Sequence, residues 1–524
     1  MSAKRLAIIG AGSSGLVTLK NALDRLPGWD ITCFEKGAST IGVWGNPYPG
    51  FVSTSTKYTT QFSCFQKWDC KADPADRALK ADFFRGDEYG RYLDEFADHF
   101  HLRKHIRLNT SVRRIRKHTD GWSLEIDGRE ETFDKLIICT GLVAKAKPIE
   151  TEIPLLRNID EPPSNSTILV LGGGESAADI AHRLAAPELR NHIFLSLKNG
   201  IRVSPRYHPI RGVPSDFLRN RLMLSVHRDL RNAIGQKFVE ARIRHQESFE
   251  RLFGGGSHPR KLPDDIRAKR KFWDAKLTAT AKAELFNVFH TKSDDFLDDV
   301  AEGRITIIGP PTGTDYRIFR EFDGEKTIEI STDFLCPMTG FVSGLEEISG
   351  GAINVRDFHE GCLHVEHDDL FLIGFARPII GNIPTIAEIQ AKYVTRIIAG
   401  DCHRPADIKA LHAAGLKRIG KDYGTLNTAA IHPVEMFPYC DRLTREMGTY
   451  PTLKKVGSLR RWTRIFLAPA STDQYLDEDF DAKRADARKI HSPPLITTLL
   501  VIIKLVEKPL RAIISSSPAV KSSQ

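Results

Sequence analysis

A glycine-rich segment near the start of the chain has the composition of a phosphate-binding turn. The segment GAGSSG begins at Gly10, follows a short apolar run and precedes leucines at helical spacing. In a strand–turn–helix unit, Gly10 permits the tight turn, Gly12 lets the backbone approach a pyrophosphate and Gly15 lets the helix pack on the strand. Backbone N–H groups at the helix start, near Ser14, would bind the phosphate oxygens. We therefore predict a dinucleotide site here.

An acidic residue stands where such a site needs one. Glu35 lies 20 residues after Gly15 and directly follows the segment DITCF, which has the composition of a buried strand. In the dinucleotide fingerprint, a carboxylate at this offset binds a hydroxyl of the adenosine ribose. Glu35 is therefore predicted to bind the cofactor.

A second turn of the same kind occurs in the middle of the chain. The segment GGGESA begins at Gly172, follows the apolar run ILVL and leads into a helical pattern. Gly172 and Gly174 correspond to the first two glycines of the fingerprint, and Ala177 replaces the third, an exchange that still allows close packing. Ser176 lies at the predicted helix start. We expect a second dinucleotide site at this turn.

The second site differs from the first in charge. The strand predicted after it, HIFLSL, ends without a carboxylate, and the residues at its end and beyond include Ser196, Lys198, Arg202 and Arg206. A carboxylate would repel a 2′-phosphate, whereas lysine and arginine pair with it. This pattern favours NADPH over NADH. The alternative is that the basic residues form a solvated surface loop.

Two turns with different ribose signatures predict two different dinucleotides. The N-terminal turn is predicted to bind FAD, and the second turn NADPH as the source of hydride. The predicted fold class is α/β, with two Rossmann-like domains, the NADPH domain inserted in the FAD domain, a helical insertion and a helical C-terminal region. The predicted domains are residues 1–150 and 326–400 for FAD, 160–325 for NADPH with the helical insertion, 401–490 for the C-terminal helices and 491–524 for a basic amphipathic tail.

Composition narrows the class of protein. The 524 residues are 41% hydrophobic and 27% charged, as in an ordinary globular protein, and the net charge is +9. The eight cysteines form no CxxC pair, which argues against a zinc site, a disulfide framework and a dithiol reductase. A strand predicted from residue 5 argues against a signal peptide, so we expect a cytoplasmic protein. No sequence pattern of a nucleic-acid-binding module accompanies the basic residues, and no metal site is predicted.

With these motifs the chain resembles the flavin-containing monooxygenase family, the class B flavoprotein monooxygenases, over residues 4–400. The motifs that carry the resemblance are the two glycine turns with Glu35, the segment IGVW with Val43 and Trp44, the segment STSTK with Ser55, the segment LIICTG with Thr140 and Gly141, the segment MTGF with Gly340, and residues 371–394 with Gly374. The resemblance implies that these residues contact the cofactors and that Thr54 acts at the reaction centre.

The resemblance also implies an activity. NADPH would reduce FAD, O₂ would form a flavin C4a-hydroperoxide, and one oxygen atom would pass to a nitrogen, a sulfur or a carbonyl group of a small lipophilic substrate. Thr54 stands where the family commonly has an asparagine, and the family pattern FxGxxxHS is missing before the second turn. Two alternatives therefore stay open: a flavin-dependent dehydrogenase or isomerase without oxygen insertion, and a dinucleotide-binding protein without catalysis.

The remaining segments suggest where other contacts form. Residues 216–299 are charged and have the composition of helices inserted in the NADPH domain. The short segments at 304–308 and 326–330 are predicted as strands that rejoin the FAD domain. The C-terminal segment LITTLLVII, followed by basic residues, is too short to cross a bilayer but has the pattern of an interfacial helix. It is predicted either to contact a membrane surface or to dock on the protein itself.

Overall fold

The computed structural model of the protein describes residues 3–45, 47–70, 79–143, 145–209, 211–253, 262–281, 284–285 and 287–507. The N-terminal part contains the strands β1 (Arg5–Ile9), β2 (Asp30–Phe34), β3 (Val52–Thr56), β4 (Phe83–Arg85), β5 (Ile106–Arg107), β6 (Val112–His118), β7 (Gly121–Ile126), β8 (Arg129–Phe133), β9 (Lys135–Ile138) and β10 (Lys145–Ala146), and the helices α1 (Ser13–Arg25), α2 (Lys57–Thr60) and α3 (Glu88–His99).

The middle part contains the strands β11 (Thr167–Leu171), β12 (His192–Ser196), β13 (Val203–Ser204), β14 (Thr291–Lys292), β15 (Ile305–Ile308), β16 (Ile318–Arg320), β17 (Thr327–Glu329) and β18 (Phe334–Pro337), and the helices α4 (Glu175–Leu184), α5 (Arg221–Ser225), α6 (Arg228–Arg244), α7 (Gln246–Phe253), α8 (Asp264–Ala279) and α9 (Phe296–Ala301). The helices α5 to α9 lie in the segment where the sequence predicts a helical insertion.

The C-terminal part contains the strands β19 (Phe341–Val342), β20 (Phe358–His359), β21 (Leu363–His364), β22 (Leu370–Leu372), β23 (Ala376–Ile380) and β24 (His432–Glu435), and the helices α10 (Gly344–Ser349), α11 (Ile383–Ala399), α12 (Ile408–Tyr423), α13 (Met436–Glu446), α14 (Leu453–Val456), α15 (Leu459–Leu467), α16 (Ala482–Ala487) and α17 (Pro494–Leu505).

The first sheet is built around β1, which contains only apolar residues after Arg5. Its strand order is β20-β21-β22-β9-β1-β2-β5, and β22, β9, β1, β2 and β5 run parallel. Leu6, Ala7 and Ile8 are fully buried, as expected for a strand covered on both faces. Helices α1 and α11 pack against each other over this sheet.

A second parallel sheet, in the order β15-β12-β11-β18, is inserted in the first. Strands β9 and β22 are neighbours in the first sheet, yet the whole second sheet lies between them in the chain. The short antiparallel pair of β10 and β19 marks the two crossings between the sheets. The predicted fold class, two Rossmann-like units with one inserted in the other, is confirmed.

The chain returns to the first sheet later than the sequence predicts. The strand predicted at 304–308 forms as β15 and pairs with β12 in the second sheet, and β17, within the strand predicted at 326–330, pairs with β16. Strand β18, beyond the predicted boundary at residue 325, pairs in parallel with β11. Strand β18 forms the edge of the second sheet next to β11, so the chain crosses back to the first sheet only after β18. Segments of similar length do not reveal from their sequence which sheet they join.

A cluster of buried charges joins α11 to the C-terminal region. The Lys392 Nζ lies 2.9 Å from Asp477 Oδ2, 2.7 Å from Asp479 Oδ2 and 3.3 Å from Glu388 Oε1, and its side chain is 1% exposed. Burial alone would lower the pKa of Lys392, but the three carboxylates outweigh it and hold the pKa well above its ordinary value. The thiol of Cys64 and the carboxylates of Glu388 and Asp479 lie close enough together to share one cation. The Lys392 ammonium, which pairs with both carboxylates, is a cation at this place.

We predict that Lys392→Met destabilises the fold strongly. The substitution leaves three carboxylates buried without their ammonium, which typically costs about 3–5 kcal/mol. Urea unfolding followed by circular dichroism would measure the loss. Lys409→Met is the matched control, because Lys409 forms a 2.7 Å ion pair with Glu366 on the surface and its side chain is 67% exposed. Equal stability of the two variants would contradict the prediction.

Candidate functional site

The first glycine turn connects β1 to α1 at the carboxyl end of the first sheet. Gly10 has φ +97°, and a Cβ there would lie 2.8 Å from the carbonyl oxygen of Cys139 in the neighbouring strand segment. A Cβ on Gly15 would lie 1.8 Å from the Gly10 carbonyl oxygen. Both positions therefore require glycine, for the turn and for the close packing of α1 on β1.

The start of α1 has backbone donors available for an anion. Its N-cap is Gly12, and in the part of the chain that the structure describes no side chain caps it. The chain passes close by at Gly42, whose Cα is 3.6 Å from a Cβ built on Gly12. Val43 is 62% exposed, and Trp44 packs edge-on against Tyr89. Among the described residues, the turn thus presents backbone amides without a side-chain cap beside an exposed apolar residue.

Glu35 lies where the sequence predicts a ribose-binding carboxylate. It follows β2, is 9% exposed and accepts hydrogen bonds from the backbone N–H groups of Ala11, at 2.7 Å, and Gly37, at 2.8 Å. These bonds fix the carboxylate beside the glycine turn. A carboxylate has about four acceptor positions, so acceptor capacity remains for a hydroxyl group.

Thr140, Gly141, Gly340 and Gly374 follow strands of the two sheets. Gly141 and Gly340 have φ +74° and +97°, at the two crossings. Thr140 Oγ1 is buried and, within the described residues, has no hydrogen-bond partner. Gly374 has φ +89°, and a Cβ there would lie 2.3 Å from Ser14 Oγ. The structure therefore brings Gly374 to the first glycine turn.

The second glycine turn repeats this geometry between β11 and α4. Gly172 has φ +135°, and a Cβ there would lie 2.3 Å from the Met338 carbonyl oxygen. Gly174 is the N-cap of α4 and has no side-chain cap, and among the described residues a Cβ built on it would meet no atom within 4 Å. Ala177 is buried at the third glycine position, and Ser176 is exposed. Backbone donors are available here as well.

The basic residues after β12 have different environments. Lys198 is exposed, and the Ser196 hydroxyl donates to the Gly309 carbonyl at 2.9 Å. Arg202 and Arg206 are buried; Arg206 donates to the backbone carbonyls of Val52 and Ser53 in the N-terminal part. For Arg206 the expectation of pairing with a 2′-phosphate is corrected, because its guanidinium holds β3. Arg202 donates to Gln236 through Nη1, and its pairing with a 2′-phosphate stays a prediction.

A small cavity of about 20 Å³, with room for about one water molecule, lies where the N-terminal part, the helical insertion and the C-terminal part meet. It is lined by Ser55, Thr59, Asp216, Arg219, Leu224, Ile380, Gly381, Asn382, Met436 and Ala470. Ser55 is thus one of the predicted residues at the cavity. Its neighbour Thr54 is half-buried on β3, and its carbonyl accepts a hydrogen bond from Lys292 at 2.6 Å.

An ion pair in the wall of this cavity connects the insertion to the N-terminal part. Lys292 Nζ lies 2.7 Å from Asp216 Oδ1, and the backbone N–H of Thr56 donates to Asp216 Oδ2 at 3.0 Å. Burial would raise the pKa of Asp216, but Lys292 and then Arg219 outweigh it and hold the pKa below its ordinary value. The sequence does not predict the roles of Asp216, Lys292 and Arg219, because no motif marks them and Asp216 lies 76 positions from Lys292.

The geometry fits two dinucleotides. Each turn leads into a helix whose N-cap is a glycine, which leaves backbone N–H donors for a pyrophosphate. The buried Thr140 hydroxyl, which has no hydrogen-bond partner among the described residues, can form a hydrogen bond to a bound cofactor. Glu175 places a carboxyl group in the first turn of α4, at a helix start that is predicted to bind an anion. Burial raises the pKa of its carboxyl, although Arg377 and Lys292 lower it in part. The residues around both turns can therefore hold FAD and NADPH.

Comparison with known proteins agrees with this reading. A family model described as flavin-binding monooxygenase-like matches residues 3–255. The chain is 25% identical to a 4-hydroxybenzoate brominase (decarboxylating) of Pseudoalteromonas luteoviolacea, over 86% of this chain and 85% of that protein. It is 25% identical to dimethylaniline monooxygenase [N-oxide-forming] 2 of Cavia porcellus, over 86% of this chain and 84% of that protein.

A solved structure supports the fold. The structure of OTEMO in complex with FAD and NADP superimposes with a TM-score of 0.53 at 16% identity, over 84% of this chain and 97% of that one. At this identity the likeness concerns the fold. Among the described residues, no helix is both long enough and apolar enough to cross a membrane.

We predict that Lys198→Ala weakens use of NADPH selectively. Losing a charge-assisted bond to a phosphate at an exposed site should raise the KM for NADPH by about tenfold and leave the KM for NADH unchanged. Steady-state oxidation of both nucleotides measures this. Lys269→Ala, also exposed but on α8, is the matched control. An equal rise for both nucleotides would show that Lys198 does not bind the 2′-phosphate.

Proposed function

We propose that this chain, which the flavin-binding monooxygenase-like family model matches over residues 3–255, is a member of that family and an FAD- and NADPH-dependent monooxygenase. It transfers one oxygen atom of O₂ to a nitrogen, a sulfur or a carbonyl group of a small lipophilic substrate. The observation that carries the proposal is the pair of glycine turns, each opening an uncapped helix at the carboxyl end of its own parallel sheet. One sheet is inserted in the other, so one chain has two dinucleotide sites.

FAD binds at the first turn in this proposal. The amides after Gly12 hold its pyrophosphate, and the Glu35 carboxylate accepts a ribose hydroxyl. The remaining residues proposed to contact FAD are Gly10, Ser14, Gly15, Val43, Trp44, Ser55, Thr140, Gly141, Gly340 and Gly374. Support comes from the orphaned Thr140 hydroxyl and from the approach of Gly374 to Ser14.

NADPH binds at the second turn. The amides at the start of α4 hold its pyrophosphate, and the exposed Lys198 ammonium pairs with the 2′-phosphate. Gly172, Gly174, Ser176, Ala177 and Ser196 complete the proposed contacts. The Ser196 hydroxyl donates to Gly309, so it acts as an acceptor toward the nucleotide or only shapes the strand end.

The protein's own part in the reaction is to position groups and to exclude water. When bound, FAD and NADPH supply the hydride transfer and the oxygen activation. Arg206 holds β3 through the carbonyls of Val52 and Ser53, which fixes Thr54 and Ser55 at the cavity region. We assign Thr54 as the residue whose hydroxyl, both donor and acceptor, assists at the reaction centre.

The dehydrogenase or isomerase alternative is not favoured. The family model describes monooxygenases, and a relative matched over most of the chain is named a dimethylaniline monooxygenase. A binding protein without catalysis would not need two dinucleotide sites of opposite charge preference. Oxygen insertion is therefore the activity to test first.

We predict that purified protein retains FAD, is reduced by NADPH without O₂ and oxygenates a sulfide in air. With thioanisole and ¹⁸O₂, the sulfoxide should contain one labelled oxygen atom for each NADPH consumed. Mass spectrometry and NADPH absorbance measure the two quantities. NADPH consumption with H₂O₂ release and no oxygenated product, across sulfide, tertiary amine and ketone substrates, would refute oxygen insertion.

Thr54→Val is the variant to compare in the same assay, with Thr306→Val, at a half-buried threonine on β15, as its control. If the Thr54 hydroxyl assists at the reaction centre, Thr54→Val should raise the share of NADPH lost to H₂O₂ while FAD retention stays normal. An unchanged share would remove Thr54 from the reaction centre. The assignment of the cofactor sites would be unaffected.

A peripheral membrane contact through α17 is the second part of the proposal, for a protein that is otherwise expected in the cytoplasm. One face of α17 docks on the insertion: Ile503 is buried, and the Lys504 ammonium donates to the Ser225 carbonyl at 2.6 Å. The other face presents Leu495 and Leu505, which are 76% and 79% exposed. Residues 508–524 of the predicted tail lie outside the described residues. An exposed apolar stripe of this kind can enter the interface of a lipid surface.

We predict that the full chain sediments with vesicles of phosphatidylcholine and phosphatidylserine. Leu495→Glu combined with Leu499→Glu should weaken this partition by more than about tenfold, because two leucines no longer enter the interface. Leu411→Glu, at an exposed leucine on α12, is the matched control. If the wild-type protein stays in the supernatant, α17 only docks on the protein surface.

A further inference from the structure

One guanidinium lies at the border between the two glycine turns. Arg377 is on β23, shortly after Gly374, the residue that approaches Ser14 in the first glycine turn. Its charge interacts with the carboxyl of Glu175, which follows the N-cap Gly174 in the first turn of α4. Arg377 therefore belongs to the part of the chain that reaches the first glycine turn and acts on the start of the second.

The side chain of Arg377 is oriented by an aromatic ring and keeps its donors free. The guanidinium lies over the ring of Phe289, with 3.9 Å between its central carbon and the ring centroid. A guanidinium in this position has its five N–H donors at the edge of its plane. Within the part of the chain that the structure describes, none of these donors forms a hydrogen bond or a direct ion pair. Burial lowers the pKa of Arg377 more than the Glu175 carboxylate raises it, so this carboxylate does not compensate for the lost solvation.

The other cations around Glu175 have carboxylate partners of their own. Glu175 also interacts electrostatically with Lys292 and Arg206, and it accepts a hydrogen bond from the backbone N–H of Lys292. The Lys292 Nζ lies 2.7 Å from Asp216 Oδ1, and the Arg206 Nη1 lies 3.5 Å from Asp294 Oδ2. Both of these cations are therefore committed to other carboxylates.

The carboxyl group of Glu175 opposes the binding of an anion at the start of α4. The backbone amides of this turn are proposed to hold the pyrophosphate of NADPH, and a carboxylate in the same turn repels a pyrophosphate. The Arg377 guanidinium acts on the same turn with the opposite charge, and its donors are free. Guanidinium groups bind phosphate oxygens through two parallel N–H···O bonds. A pyrophosphate at this turn would therefore attract the guanidinium more strongly than the Glu175 carboxylate does.

We propose that Arg377 binds the pyrophosphate of NADPH across the border between the two glycine turns, and that Glu175 competes with the pyrophosphate for this guanidinium. The inference rests on the proposed function and names two residues that set the affinity for the nucleotide. Arg377 ties a nucleotide bound at α4 to the C-terminal part of the chain, because β23 carries the arginine. Glu175 limits how tightly the nucleotide is held.

The test measures the binding of two ligands to the FAD-loaded enzyme by isothermal titration calorimetry. NADP⁺ contains the pyrophosphate and the 2′-phosphate, whereas adenosine 2′-phosphate contains the 2′-phosphate alone. Arg377→Gln should weaken the binding of NADP⁺ by about tenfold or more and leave that of adenosine 2′-phosphate within about twofold. Glu175→Gln should strengthen the binding of NADP⁺ by at least about threefold, because the competing charge is removed. A gain in affinity cannot come from a variant that fails to fold.

The double variant distinguishes a contact with the pyrophosphate from mere shielding of Glu175. If Arg377 contacts the pyrophosphate, Arg377→Gln should weaken NADP⁺ binding by about tenfold in the Glu175→Gln background as well. If the guanidinium only neutralised Glu175, its loss would have no effect in that background, and the proposal would be overturned. Arg113→Gln, at an exposed arginine on β6, is the matched control and should change neither affinity.

The outcomes for this inference and for the proposed function are separate, because calorimetry with NADP⁺ requires no turnover. Equal NADP⁺ affinity of the wild-type enzyme and Arg377→Gln would overturn the inference and leave the proposed function intact. Equal weakening of both ligands in Arg377→Gln would overturn it as well. Wild-type enzyme that retains FAD but does not bind NADP⁺ would refute the second nucleotide site itself, and the inference with it.

Discussion

The structure depends on one constraint of connectivity. Strands β9 and β22 lie side by side in the first sheet, and the chain between them builds the whole second sheet and the helical insertion. The two crossings must therefore pass at the same place, where β10 and β19 pair and where Gly141 and Gly340 have left-handed backbone angles. Because both parallel sheets present their carboxyl ends to glycine turns, this connectivity gives one chain two nucleotide sites and a shared border between them.

Buried charges hold the added parts on this frame. Arg206 and the pair of Asp216 and Lys292 join the inserted part to β3, and the Lys392 cluster joins α11 to the C-terminal region. Each ion costs solvation when it is buried, and the cost is recovered only in the correct geometry, with all partners present. These contacts therefore favour one arrangement of the three parts, and the cavity lies where that arrangement brings them together.

The sequence predicts those features that are local. The glycine turns and Glu35 follow from spacing within about 30 residues, and the structure places them as expected at the ends of β1, β2 and β11. The cavity could not be predicted, because its wall joins residues from Ser55 to Ala470 that share no pattern. The places of β15 and β18 in the second sheet could not be predicted either, because the sequence of a strand does not show which strand it pairs with.

The basic residues show why residue type alone does not reveal a role. Arg202, Arg206, Lys198 and Arg219 all follow the second glycine turn in the chain, and a 2′-phosphate would attract any of them. Burial distinguishes Arg202 and Arg206 from Lys198: Arg206 donates to backbone carbonyls and Arg202 donates to Gln236, whereas Lys198 is exposed. A cation is available for recognition only where its donors face open space, as on the surface at Lys198. The contacts of a cation, rather than its position after a motif, therefore decide whether it binds a ligand or holds the fold.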